Sequence, residues 1–190
     1  MQFVKVFFLV CAIVSCENNL DRINEKKITK NLLTRHPENG KLLLENQLFT
    51  GIAVNYYPNG FLSEEIHYKE GIKSGLSLKW FADGCLSFKA QYTNNVRQGE
   101  AKSWWRNGQL RALSHYSKGV PHGEQQEWYK SGRLFKKLNL SFGKEVGFQQ
   151  AWRENGKLYN NYVVKKGRIY GLKRSNLCFE LKNEQITSSN

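Results

Sequence analysis

The sequence is poor in the groups that do chemistry. Its 190 residues include only 16 Asp and Glu, 4 His and 4 Cys, against 29 Lys and Arg, and proline (3) and methionine (1) are scarce. Glu64-Glu65 is the only adjacent acidic pair. Neighbours along a strand point to opposite faces, so these two cannot act together on one substrate. His36, His67, His115 and His122 fall in no zinc-binding spacing, and no Cys-x-x-Cys occurs. No Gly-x-Ser-x-Gly elbow and no phosphate-binding loop is present. The N-terminal apolar run, Val6 to Val14, is too short to span a bilayer. These absences argue against an enzyme, a metal site and a bound cofactor.

What the chain does have is aromatic residues, glycine and positive charge: 5 Trp, 9 Tyr, 11 Phe, 16 Gly and a formal charge of +13. A basic balance points to anionic partners and says nothing about fold. Lys5 opens the apolar run, which ends in Val14-Ser15-Cys16 before the chain turns polar at Glu17-Asn18-Asn19. An apolar run closed by a small residue and Cys resembles the lipobox of bacterial lipoprotein precursors. That resemblance implies that residues 1–15 are a signal peptide, that Cys16 is lipidated, and that the protein is anchored to a membrane of the bacterial cell envelope.

The strongest signal is a repeat. Gly51, Gly75, Gly99, Gly123, Gly147 and Gly171 stand at a constant spacing of 24 residues. An aromatic ladder follows five residues later (Tyr56, Trp80, Trp104, Trp128, Trp152), then a glycine ladder (Gly60 to Gly156) and a leucine ladder (Leu62 to Leu158). Each unit reads as a β-hairpin. The first strand leads to a tip such as Asn59-Gly60, Asp83-Gly84 or Asn107-Gly108, dipeptides that suit a type I′ turn. The second strand ends at an aromatic or aliphatic residue (Tyr68, Tyr92, Tyr116, Leu140, Val164), and a second turn carries Gly71, Asn95, Gly119, Gly143 or Gly167. The period assigns the glycines to turns. The expected fold is therefore all-β, an elongated single antiparallel meander sheet of ten strands, with the Trp column stacking unit on unit. His67 and His115 would then lie about 19 Å apart, too far for one metal ion, and Cys85 and Cys178 about 33 Å apart, too far for a disulfide.

The residues Gly75, Trp80-Phe81, Asp83-Gly84, Leu86, Tyr92 and Gly99, with their counterparts in each unit, resemble the variant MORN repeat of bacterial proteins. The resemblance covers roughly residues 36–171. It implies a repeat scaffold without catalysis, and some proteins of that family carry an antitoxin label. The organisation expected is a signal peptide over 1–15, a lipid-anchored tether over 16–30, a truncated repeat or cap over 31–50, five repeats over 51–170, and a C-terminal cap and tail over 171–190. His36-Pro37-Glu38-Asn39-Gly40 in the first cap mimics Tyr57-Pro58-Asn59-Gly60.

Sorting charge by turn singles out one edge. The turns between units carry Lys69, Lys73, Arg97, Lys118, Lys144, Lys165, Lys166 and Arg168 against Glu70 and Glu145. The tips carry Arg106, Lys130, Arg133 and Lys157 against Asp83 and Glu154. In a meander all inter-unit turns share one edge, which becomes a basic stripe. The expected function is a non-catalytic binding or scaffold module for a protein or an anionic envelope partner. The alternative is an antitoxin-like inhibitor of a specific protein. Nucleic acid is not expected, because export removes the chain from it.

Overall fold

The computed structural model describes residues 26–173. The expected signal peptide, Cys16, Cys178 and the expected C-terminal cap beyond Lys173 lie outside the described residues. A short strand, β1 (Lys27–Thr29), is followed by one 3-10 turn (Lys30–Leu32) and by β2 (Thr34–Arg35), β3 (Leu42–Leu44) and β4 (Gln47–Leu48). The repeats then supply β5 (Gly51–Tyr56), β6 (Leu62–Lys69), β7 (Ile72–Trp80), β8 (Leu86–Thr93), β9 (Val96–Trp104) and β10 (Leu110–Ser117). They continue through β11 (Val120–Trp128), β12 (Leu134–Ser141), β13 (Lys144–Trp152), β14 (Leu158–Lys165) and β15 (Arg168–Leu172). Strands β5 to β15 run as one antiparallel meander, and β1 adds to its N-terminal edge in parallel, making a 12-stranded sheet. The fold is all-β, as the repeat pattern implies. It has more strands than the ten expected, because Lys27–Thr29 and Arg168–Leu172 also pair.

Two details differ from the sequence expectation, and both concern glycine. The inter-unit turns, not the tips, are the two-residue turns with both φ positive: Glu70 (51°) and Gly71 (78°), Lys118 (51°) and Gly119 (80°), and likewise in the other units. That is the I′ signature. At the tips only the glycine has positive φ, as at Gly60 (83°). There Gly60 N–H donates to Tyr57 C=O and Tyr57 N–H to Phe61 C=O, a type I turn closed by a left-handed glycine. The Asn or Asp serves differently: Asn59 Oδ1 accepts from Phe61 N–H, and Asp83, Asn107 and Asn155 do the same two residues on.

The column glycines lie in no turn at all. Gly75 sits inside β7 with φ 109°, where Ser77 pairs with Ile66 but Lys73 pairs with Tyr68. Ser74, Gly75 and Leu76 thus face the single residue His67, a β-bulge. A Cβ on Gly75 would come within 2.9 Å of the His67 Cβ. The bulge leaves carbonyls in need of donors. In the fourth and fifth units glutamines supply them: Gln125 Nε2 donates to the His115 and Gly123 carbonyls, and Gln149 Nε2 to the Asn139 and Val146 carbonyls. Gln149 is wholly buried. It can be so only because its amide is fully engaged.

Buried apolar residues concentrate at the N-terminal end. Leu42 and Phe49 pack on Ala53, Ile66 and Tyr68, with Ile28, Leu33 and Leu44 around them. Residues 34–48 form a separate three-stranded sheet that supplies this cover rather than extending the large sheet. The turn at Glu45-Asn46, with φ 51° and 65°, repeats the inter-unit geometry. His36 to Gly40 repeats the tip with one extra residue, since Gly40 N–H reaches His36 C=O and Lys41 N–H reaches Asn39 Oδ1. The expected tether does not run to residue 30. Lys27–Thr29 is pinned to β5, Lys27 pairs with Glu65 at 3.1 Å, and Lys30 pairs with Glu64 at 2.7 Å. Beyond the first unit the described sheet is a single layer in which strands pack on their sequence neighbours.

Candidate interaction surface

The two long edges of the sheet hold their cations in different states. At the tips several side chains join one unit to the next. Tyr57 Oη donates to Trp80 C=O (2.8 Å), Trp105 Nε1 to Trp128 C=O (3.1 Å) and Tyr129 Oη to Trp152 C=O (2.9 Å). Asn59 and Asn107 amides reach the Ala82 and Lys130 carbonyls. In the second unit, where Phe81 lacks a hydroxyl, Arg106 stacks on Phe81 and pairs with Asp83 at 3.1 Å. Arg133 donates to Glu154 C=O at 2.7 Å. On the inter-unit edge Lys69, Lys118, Lys144, Lys165, Lys166 and Arg168 are exposed, and among the described residues their side chains have no partner. The acids there do not neutralise them: Glu145 accepts from Tyr162 Oη and pairs with Lys173.

Lys73 and Arg97, which the sequence assigns to the same stripe, lie elsewhere. Each pairs across the strands with a tyrosine, Tyr68 and Tyr92 respectively. That places them on the face of the sheet to which the cap is bound. Lys73 Nζ lies 5.3 Å from the centre of the Tyr92 ring. The Arg97 guanidinium lies 4.7 Å from the Tyr116 ring, 5.6 Å from Tyr92 and 5.5 Å from Phe88, and donates to Tyr92 Oη at 3.0 Å. Its Nε is buried with no hydrogen-bond partner. Burial alone would weaken the charge, but the Tyr92 and Tyr116 hydroxyls outweigh it and raise the pKa above the ordinary arginine value. The eight-cation stripe is thus six edge cations and two face cations. The sequence signal for the second set is the Tyr68, Tyr92, Tyr116 column, which coincides with cations only in the second and third units.

The Trp column does not form a buried stack. Trp80, Trp104, Trp128 and Trp152 are all half-buried, at the tip ends of their strands. The acidic pair is divided between faces as expected. Glu64 joins Lys30 and Lys79, and Glu65 joins Lys27 and His67. Burial opposes ionisation of Glu64, yet Lys30 and Lys79 together hold its carboxyl below the usual range. Cys85 is free and exposed, and the adjacent Asp83 carboxylate pushes its thiol up, the opposite of what a nucleophilic thiolate needs. Among the described residues no group of three His, Cys, Asp or Glu side chains is placed to hold a metal ion.

Residues 49–70 and 97–118 match the MORN repeat variant. Both windows start two residues before a column glycine and end on the first residue of an inter-unit turn, so the match falls on the first and third units in one register. The intervening and following units repeat that register at 73–94, 121–142 and 145–166, with the same two turns and with a bulge at the column glycine that the first unit lacks. No curated protein matches the chain.

Proposed function

We propose that the protein is a non-catalytic binding module of the bacterial cell envelope, anchored through lipid on Cys16, whose inter-unit edge engages an anionic envelope or protein surface. The observation that carries this reading is the contrast between edges: six exposed, unpartnered cations on one, against a tip edge with fewer cations on which Arg106 and Arg133 are already engaged. Adjacent units are two strands, about 9.6 Å, apart, close to the Debye length of about 8 Å at physiological salt, so each cation contributes largely on its own. Near an anionic surface each is worth about 1 kcal/mol. Acyl chains already hold the protein at about 0.8 kcal/mol per buried CH₂. The edge therefore sets orientation rather than residence.

The test uses soluble protein beginning at Glu17 and anionic vesicles or envelope fragments. One variant replaces Lys118, Lys144, Lys166 and Arg168 with Gln; the other replaces Arg106, Lys130, Arg133 and Lys157. Both lose four charges. The first should bind far more weakly and with a shallower salt dependence. Equal weakening would reduce the edge to bulk charge and end the proposal. Anchoring is tested separately, by fatty-acid labelling in cells: labelling that survives Cys16→Ala removes the lipid assignment.

A further inference from the structure

The two face cations suggest a second, separate site. On the cap face of the second and third units, Lys73 and Arg97 bracket the Tyr92 ring, and Tyr116 closes the far side of Arg97. Neither cation pairs with a carboxylate among the described residues, whereas the half-buried strand lysines Lys102, Lys136 and Lys137 pair with Glu100, Glu127 and Glu124. The floor beside them is small and already dry, with Ser77, Ala90 and Ala101 all buried. A guanidinium that has exchanged water for three rings and one hydroxyl keeps unused donors, and its natural complement is a carboxylate.

The same face supplies an internal pattern for that complement. In the fifth unit Lys173 Nζ lies 4.9 Å from the centre of the Tyr162 ring, as Lys73 lies on Tyr92. There the chain provides its own acid: Glu145 accepts from Tyr162 Oη at 2.8 Å and pairs with Lys173 at 3.1 Å. Glu145 occupies the repeat position of Lys73 and Arg97. In the second and third units, therefore, a cation stands where the fifth unit has its carboxylate, and the tyrosines beside it, Tyr92 and Tyr116, lie two residues along the strand from the repeat position of Tyr162. In the first unit the same face is filled by Leu42 and Phe49 of the cap. Between these two ends the Lys73–Arg97 stretch has cations and tyrosines but, among the described residues, no carboxylate partner, and the next acid on this face, Glu127, is already paired with Lys136 at 3.9 Å.

We infer that the Lys73–Tyr92–Arg97–Tyr116 cluster binds a carboxylate side chain of an acidic segment of a partner protein lying across the cap face. The site is distinct from the basic edge and does not depend on it. Lys73 and Arg97 supply the charge, the Tyr hydroxyls supply directional hydrogen bonds, and Phe88 with the small floor accommodates the stem of the acid. The single-layer face leaves room for an extended peptide on either side.

The probe is a fluorescein-labelled hexaglutamate peptide, titrated by anisotropy against the full chain in a neutral detergent. The double variant Lys73→Gln/Arg97→Gln is compared with Lys165→Gln/Lys166→Gln, which removes the same charge from the edge. The expected result is a loss of about tenfold in affinity for the first, about 1.4 kcal/mol, and much less for the second. The Tyr92 and Tyr116 ring-proton signals should also shift when hexaglutamate is added to the unaltered protein. If the double variant misfolds, Lys73→Gln alone and those ring signals decide. Equal losses in the two variants, or ring signals that do not move, overturn the inference. So does binding confined to phosphatidylglycerol vesicles with none to hexaglutamate, which would assign the cluster to a lipid surface instead.

Discussion

The first repeat and the four that follow share one backbone pattern but are stabilised in different ways. The first is a small two-layer structure. Leu42 and Phe49 cover Ala53, Ile66 and Tyr68, and β1 closes the sheet edge with Lys27–Glu65 and Lys30–Glu64 ion pairs. The later units have one layer among the described residues and replace the missing core with a network. Gln125 and Gln149 satisfy the bulges, tip residues donate to the carbonyls of the next unit, and Arg97 stacks among three rings. A repeat array lets each unit depend on its neighbours. The first unit thus carries a hydrophobic cover, whereas the later units hold with directional bonds.

The sharpest way to break this contrast is to empty one side of it. Phe49→Ala should cost about 3–5 kcal/mol, the usual loss for a large aromatic removed from a core. Trp104→Ala, at a half-buried position, should cost about 1–2 kcal/mol, since only part of its area leaves water. Denaturant titration of both variants decides. Equal losses would mean that the open units rest on an apolar core after all.

The network side is tested at Gln149. Gln149→Ala leaves the Asn139 and Val146 carbonyls without donors in a buried bulge and should cost about 1–3 kcal/mol, seen as faster amide exchange in β13 and β14. Unchanged exchange would show that the bulge carbonyls find other donors.

Acid should loosen the two ends unequally. The Glu64 carboxyl is held below its ordinary value by Lys30 and Lys79. Its contribution is therefore present above the unfolded value, about 4.3, and is lost as pH falls through the lower folded value. Unfolding midpoints should drop in that window for the native chain and less for Glu64→Gln. Parallel curves would remove Glu64 from the account.

The smallest effect should be a gain. Phe142 holds a φ of 46° in an inter-unit turn and is mostly exposed, touching only the His122 ring among aromatic neighbours. Phe142→Asn places a residue that tolerates this conformation and should raise stability by about 0.5–1 kcal/mol. A loss in thermal unfolding would mean that the ring contact outweighs the backbone strain.

Much of the architecture was legible from spacing alone. A glycine every 24 residues, with aromatic, glycine and leucine ladders at fixed offsets, specifies identical hairpins in series, and identical hairpins in series form a meander. Turn type departs from what the dipeptides suggest. Asn59-Gly60 has the composition of a type I′ turn, yet the loop there is one residue longer, while Glu70-Gly71 and Phe142-Gly143 adopt I′ geometry with first residues that no propensity favours. Loop length follows from strand register, and register is imposed by the neighbouring unit: Gly119 N–H, for example, donates to Arg97 C=O across the stack. A dipeptide carries no information about that bond.

The candidate site divides along the same line. That the inter-unit edge is basic is a matter of counting, and the six exposed cations lie where the count put them. That Lys73 and Arg97 leave the edge for the aromatic face depends on their pairing opposite Tyr68 and Tyr92 two residues beyond the turn, after the strand has alternated and before the bulge resets it. The one-dimensional repeat determines what recurs, because every unit must meet the same backbone demands. Which side chains meet is decided only in the folded sheet, because contact there runs across strands, between residues as few as 5 and as many as 38 positions apart, through registers that bulges shift.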